Sequence, residues 1–388
     1  MVRRRTLEQH IAVFGESGSG KTVLLSSFFG SMRKPGQSAK RRFALVADKP
    51  AQGTQLLKKY YDMRDNAKAP APNKYRADAY KFSLKVKSAQ GSAAHFDAVR
   101  MVWHDYPGEW FEQDVSGETE ARRRVDLFRS LLRSDVALLL VDGQQLLDHA
   151  GSEERYFGKL FGSLSNCLLA MKDDLLEDGQ PLVQFPRIWM LGLSKADLLP
   201  EMTASAFEEL VIRDGGHHLN ELREVIQSMV AGDQALAVGE DLLLLSSAKF
   251  TPGQIDVNER VGVDLILPLA AVLPFERHLR WAKSKELPAR VARELLSSST
   301  TILAVLGWAS GVLKNLKLPG PLGAVAVGVS ALLASRAANE IIDMADKRLE
   351  EALENAVQKH DDLGAILTQF RIDLEEAEES GVLVRSKN

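Results

Sequence analysis

At 388 residues the chain is long for one domain, so a first globular unit followed by a second is the default expectation. A hydrophobic share of 45% beside 26% charged residues describes an ordinary globular protein. The net charge of −3 excludes a general nucleic-acid binder, which needs a concentrated basic surface. The one cysteine, Cys167, cannot form an internal disulfide, which fits a reducing cytoplasm and a buried small side chain rather than a catalytic thiol. Met1-Val2-Arg3-Arg4-Arg5 is basic but leads into polar residues without an apolar signal core, so no secretory peptide is expected.

The first element is an apolar strand, Ile11–Phe14, that breaks at Gly15. After a loop of small residues an apolar period resumes from Thr22, giving strand, phosphate loop and helix. Gly15-Glu16-Ser17-Gly18-Ser19-Gly20-Lys21-Thr22 has the form G-x-x-x-x-G-K-T. Its glycines allow successive backbone N–H groups to turn inward around a polyphosphate, and the helix starting near Lys21 adds its dipole. The expected nucleotide-binding stretch is Gly15, Ser17, Gly18, Ser19, Gly20, Lys21, Thr22 and Val23. Lys21 would reach the β- and γ-phosphates, and the Thr22 hydroxyl would coordinate the Mg²⁺ that bridges them.

That helix ends near Met32 at the turn Arg33-Lys34-Pro35-Gly36. An insertion around 33–78 then holds a basic loop, a short strand at Phe43–Ala47, a helix at 53–64 and a Pro/Ala loop at 66–74. A nucleotide switch normally carries a threonine in this region that closes over Mg²⁺ and the γ-phosphate. Thr54 is the one threonine between Val23 and His104, so it is the candidate metal ligand, although its position suits an ordinary helix N-terminal residue as well. Tyr80–Lys87 alternates with period two and Phe96–Trp103 follows a Gly/Ser/Ala turn, which predicts an antiparallel hairpin. The second strand runs into His104-Asp105-Tyr106-Pro107-Gly108-Glu109-Trp110. Asp105 suits a magnesium-facing carboxylate, and the backbone N–H of Gly108 suits a γ-phosphate.

Further apolar strands are predicted at 135–142, at 187–193 and at Leu242–Leu245. The second ends in Ser194-Lys195-Ala196-Asp197, close to an N/T-K-x-D pattern in which the aspartate meets guanine N1 and N2 and the lysine stem covers the ring. The third ends in Ser246-Ser247-Ala248-Lys249, where a backbone N–H would meet guanine O6. Continuous apolar strands alternating with helices imply an α/β fold, a doubly wound and mostly parallel sheet with nucleotide at the strand C-termini.

On these residues the chain resembles the TRAFAC-class P-loop GTPases, with GESGSGKT, DYPG, SKAD and SSAK as their first, third, fourth and fifth boxes. The string WHDYPGEW resembles more narrowly the bacterial YcjX-like GTPases, and the likeness covers roughly Arg5 to Lys285. It implies a Ras-like fold, GTP/GDP with Mg²⁺ as cofactors, and slow GTP hydrolysis in a molecular switch. It also implies catalytic roles for Lys21, Gly108 and Glu109, metal ligation by Thr22 and Asp105, and base contacts from Ser194, Lys195, Asp197, Ser247, Ala248 and Lys249. Departures are the serine at Ser194, the absence of a clear second-box threonine, and Glu109 where a small GTPase has its water-orienting glutamine. Gly18 stands where some relatives carry a potassium-linked asparagine, so no potassium requirement is expected.

A helix over 264–285, bent or interrupted by Pro268 and Pro274, is expected to close this first domain, 1–287. The second, 288–388, is expected to be an α-helical hairpin or bundle. No formal charge falls within Leu295–Leu313 or Leu318–Ser335, and each run approaches the ~20 residues that span a bilayer. Both runs are rich in Gly, Ala and Ser, so a buried helix pair, packed on the first domain or on a partner chain, stands beside membrane insertion. The final stretch, 361–388, is expected to be a solvated helix with a loose tail. The resulting expectation is a cytoplasmic GTP-dependent switch that binds protein partners or a second copy of itself through its C-terminal helices. The alternatives are a GTP-triggered, peripherally membrane-associated effector and an ATPase of similar architecture.

Overall fold

The computed structural model describes residues 7–33, 43–71, 78–86, 96–106, 108, 117–176, 179–182, 188–230, 237–283 and 365–386. Its strands are β1 (Leu7–Phe14), β2 (Phe43–Ala47), β3 (Asp78–Val86), β4 (Phe96–Asp105), β5 (Val136–Asp142), β6 (Ile188–Ser194), β7 (Ala237–Leu244), β8 (Lys249–Thr251), β9 (Gln254–Asp256) and β10 (Leu383–Val384). The helices are α1 (Lys21–Met32), α2 (Pro50–Asn66), α3 (Glu118–Leu132), α4 (Gly143–Asp148), α5 (Glu153–Ala170), α6 (Lys172–Leu175), α7 (Ala204–Leu210), α8 (Gly216–Gln227) and α9 (Ile266–Lys283). A further helix, α10, covers 365–379.

One eight-stranded sheet runs in the order β10-β7-β6-β5-β1-β4-β3-β2. β4, β1, β5, β6 and β7 pair in parallel, while β3 and β2 at one edge and β10 at the other are antiparallel. Every residue of β5, VALLLVD, and of β6, IWMLGLS, is buried. Helices cover both faces of a parallel sheet, so a central strand has no solvent side to keep polar. Ile11, Val13 and Trp103 point into a core shared with α1, α9 and α10. Ala12 and Phe14 point into a second core with α3, α5, α7 and α8. The strand C-termini, and the loops leaving them, therefore emerge along one edge between two helical layers.

The predicted β3–β4 hairpin is present with Tyr80 opposite Trp103, and its alternating Tyr80, Phe82, Leu84 and Val86 are buried. The insertion adds β2 to the outside of β3 and lays α2 against α1. That approach is close: a Cβ on Gly30 would lie 2.2 Å from Tyr60 Cγ, so a larger residue would separate the two helices. α9 continues through Pro274 without interruption, contrary to one of the expected outcomes.

The expected loose tail is corrected. Along α10, Ile366, Phe370, Leu374 and Ala377 recur at helical spacing on one face, and all are buried in the same core as α1 and α9. Leu383 and Val384 then pair with Leu243 and Leu242 as the last strand of the sheet. Beyond it the Ser386 N–H donates to Asp241 Oδ1 at 2.9 Å, and Arg277 donates to the same oxygen at 2.6 Å. The acidic run Glu375, Glu376, Glu378 and Glu379 suggested a solvated helix because it fills the outer positions, while the apolar stripe between those residues is sparse. Residues 365–386 thus complete the sheet of the first unit, although the expected boundary at 287 assigns them to the second. The uncharged stretch 295–335 lies outside the described residues. No described helix is long and apolar enough to cross a membrane.

Candidate nucleotide site

β1 ends at the fully buried Phe14, and the chain turns at once into the loop Gly15–Gly20. Gly18 and Gly20 take φ of 82° and 89°, a region that side chains disfavour, and Gly20 in this conformation caps α1. Lys21 Nζ, on a residue 8% exposed, donates to the carbonyls of Gly15 and Glu16, each at 2.8 Å, and to Ser19 Oγ at 3.3 Å. The loop is therefore wrapped around its own cation. The Glu16 carboxylate turns away from the loop and meets Lys159 Nζ of α5 at 2.7 Å.

A cleft of about 120 Å³ opens beside this loop. Ser17, Gly18, Gly20, Lys21, Thr22 and Val23 form one wall, and Asp105, Tyr106 and Gly108 form the other. The two walls come together because β1 and β4 are neighbours in register, with Val13 opposite Asp105. Thr22 supplies a hydroxyl and the buried Asp105 a carboxylate. A hydroxyl and a carboxylate are the hard oxygen donors that suit Mg²⁺ beside a polyphosphate. Gly108 rests directly on the phosphate loop, since a Cβ there would lie 2.4 Å from the Ser17 nitrogen and 2.6 Å from the Glu16 carbonyl carbon. Glu109 and Trp110 lie outside the described residues.

Thr54 is not brought to this cleft. It is exposed on α2, where its hydroxyl donates to the Pro50 carbonyl one turn back at 3.0 Å, as an ordinary helix residue does. The insertion reaches the cleft instead through Pro70. Tyr60 and Met63 of α2 dock against Ala248, Ile255 and Val257, and Ala67 ends the helix in the left-handed region at φ 48°. This turn directs the chain toward the phosphate loop. A proline there offers no hydroxyl to a metal.

Behind Asp105, His104 Nε2 and His10 Nδ1 lie 3.0 Å apart with stacked rings. Burial, followed by the neighbouring His10 and Lys81, pushes the His104 pKa down to about 4, so this imidazole is neutral at physiological pH. Asp135 accepts from the His10 backbone N–H at 2.6 Å, yet burial pushes its carboxyl up to about 6.

The two segments expected to read the base meet at the ends of β6 and β7. Asp197 Oδ1 accepts from Ser246 Oγ at 2.7 Å, and the Ala196 N–H donates to the Leu245 carbonyl at 3.0 Å. Lys195, at φ 54°, sends Nζ to Asp142 Oδ2 at 2.7 Å, and Ser194 Oγ donates to the Val141 carbonyl at 3.2 Å. Ala248 is buried, and the Ser247 carbonyl accepts from Ser27 of α1, which ties the base loop to the phosphate helix. Lys249 is exposed and pairs with Glu259 at 2.9 Å. Sequence reasoning missed Asp142, Ser246, Glu16 and Lys159. Asp142 had the same signal as Asp105, an acid closing an apolar strand. The other three are identified by partners that only the fold supplies.

Residues 9–240, more than half of the chain, match the family model described as Double-GTPase 2. No curated protein matches the chain. Among solved structures, it is similar to the signal recognition particle receptor SRb–GTP/SRX complex from Chaetomium thermophilum, at 16% identity and TM-score 0.33, over 64% of this chain and 95% of that one. Aquifex aeolicus Era bound to GDP and AlF4⁻ is 15% identical with TM-score 0.25, over 73% of this chain and 70% of that one. The nucleolar GTP-binding protein 1 from Plasmodium falciparum is 10% identical with TM-score 0.28, over 81% of this chain and all of that one.

Proposed function

The chain belongs to the double-GTPase 2 family, a family of GTP hydrolases with a Ras-like P-loop fold, and from that premise we propose that it works as a molecular switch. In this reading the state of the bound nucleotide sets the order of the segment after Asp105 and, through it, the availability of the C-terminal region to a partner. One observation carries the reading: the phosphate loop on one side and Asp105, Tyr106 and Gly108 on the other form the two walls of a single cleft.

Lys21 Nζ would exchange the Gly15 and Glu16 carbonyls for β- and γ-phosphate oxygens, a short rotation for a side chain already inside the loop. Thr22 and Asp105 would hold Mg²⁺, which supplies charge neutralisation across those oxygens. The Gly108 N–H would meet the γ-phosphate and lose that contact on hydrolysis, and Glu109 would orient the attacking water. Asp197 would read guanine N1 and N2, while Lys195, steadied by Asp142, covers the ring. The narrower kinship with YcjX-like GTPases rests on the string Trp103–Trp110. The role of the uncharged stretch 295–335 rests on sequence alone. Liposome flotation with GDP and with a non-hydrolysable GTP analogue separates partner binding from membrane insertion.

Single-turnover GTP hydrolysis tests the site. Lys21→Ala and Asp105→Ala should each lower the rate by at least about 100-fold, because each removes charge stabilisation at the transferring phosphoryl group. Thr54→Ala should leave the rate unchanged. A Thr54→Ala variant as impaired as Asp105→Ala would overturn this assignment of the cleft.

A further inference from the structure

α8 opens as Gly216-His217-His218, carries Glu221 one turn later, and packs against α5. His217 Nδ1 lies 3.5 Å from Glu221 Oε1, and His218 Nδ1 lies 3.3 Å from Glu221 Oε2. Donor atoms of all three fall within 4.8 Å of one another. A tetrahedral ion with bonds of about 2.0–2.1 Å has ligand–ligand edges of about 3.3–3.4 Å, and each imidazole already sits near that distance from a carboxylate oxygen, His217 from Oε1 and His218 from Oε2. The spacings i, i+4 and i, i+3 put both imidazoles on the glutamate's side of the helix. The His218 ring is also held from behind: a Cβ on Gly158 of α5 would lie 2.9 Å from its Nε2, so that edge faces α5 and Nδ1 faces the carboxylate. The helix is entered through a π-turn at Val211–Gly215, a distortion that re-aims the side chains following it.

We propose that His217, His218 and Glu221 form a binding site for a divalent transition-metal ion, zinc(II) being the type. Two imidazoles and one carboxylate are a borderline donor set, which selects Zn²⁺, Ni²⁺ or Cu²⁺ over the oxygen-seeking Mg²⁺ of the nucleotide cleft. Three protein donors leave a position for water. The alternative, a pair of solvated His–Glu contacts on a helix face, predicts no metal affinity beyond that of scattered surface histidines.

The test uses the full chain without a histidine tag, loaded with Mg²⁺ and GDP and freed of excess nucleotide so that the cleft ligands are engaged. Zn²⁺ is titrated by calorimetry and Co²⁺ by its visible absorption. The expected result is one equivalent bound in the micromolar range, with His217→Ala, His218→Ala and Glu221→Gln each weakening it by at least about tenfold. His149→Ala, just beyond the end of α4, should bind as wild type does. His217 and Glu221 face solvent, so their variants should melt with wild type. Zinc affinity that is unchanged in the His217→Ala and Glu221→Gln variants, or no stoichiometric binding by wild type, overturns the site.

Discussion

Asp197 Oδ1 accepts from Ser246 Oγ at 2.7 Å, which holds the carboxylate just beyond the end of β6. If this carboxylate reads guanine, Asp197→Asn exchanges acceptor for donor there. It should weaken GTP by at least about tenfold and improve xanthosine triphosphate. Equal loss of both nucleotides in a competition assay would remove the base assignment. A second residue-scale prediction concerns Asp135. Burial raises its carboxyl to about 6 from the ordinary 3.8. A raised carboxyl contributes stability that is fully present below its ordinary value and lost as pH climbs through about 6. Asp135→Asn keeps an oxygen for the His10 N–H and escapes that loss, so relative to wild type it should gain about 2–3 kcal/mol between about pH 4 and pH 7. Urea melts at both pH values measure the difference, and parallel curves would contradict it. That Lys21, Thr22 and Asp105 would line one cleft was legible in the sequence, because local spacing places them at the ends of neighbouring strands. Ser246 and Asp142 were not, because their partners Asp197 and Lys195 sit on other strand ends that only the sheet order brings near.

At the scale of elements, continuous burial made β5 and β6 easy to read, since a strand covered on both faces is a run of apolar residues. The hairpin of β3 and β4 was equally legible from its period of two. The helix α10 was expected, but its buried stripe and the strand β10 were misread for the reverse reason. A helix that buries a narrow stripe carries mostly charged residues, and a two-residue edge strand has no period at all. The stripe is testable. Leu374, fully buried, contributes to the main core, so Leu374→Ala should cost about 2–5 kcal/mol in urea unfolding. The neighbouring Glu375→Ala should stay within about 0.5 kcal/mol. Similar costs for the two would mean that α10 is not anchored where the packing puts it.

Across the whole molecule, the two halves of the proposed nucleotide site depend on different segments of the chain. The phosphate wall is built by β1 and β4, in the interior of the sheet. The proposed base wall hangs from β6 and β7, and β7 is flanked by Leu383 and Val384 of β10. Leu244 donates its N–H to the Val382 carbonyl at 2.9 Å, two residues before Ser246. Asp241 Oδ1, in the same strand, accepts from Arg277 and from the backbone of Ser386. A chain ending at Gly381 would lose β10 and leave the buried Asp241–Arg277 pair one hydrogen bond short, so β7 and its following loop should loosen while the phosphate loop keeps its partners. GDP affinity should therefore fall by at least about tenfold, with inorganic triphosphate binding nearly unchanged, because only the first ligand needs the base loop. Circular dichroism checks that the truncated chain is folded at the assay temperature. A folded truncation that binds GDP as wild type does, or loses GDP and triphosphate in equal measure, would show that the C-terminal strand does not position the base wall.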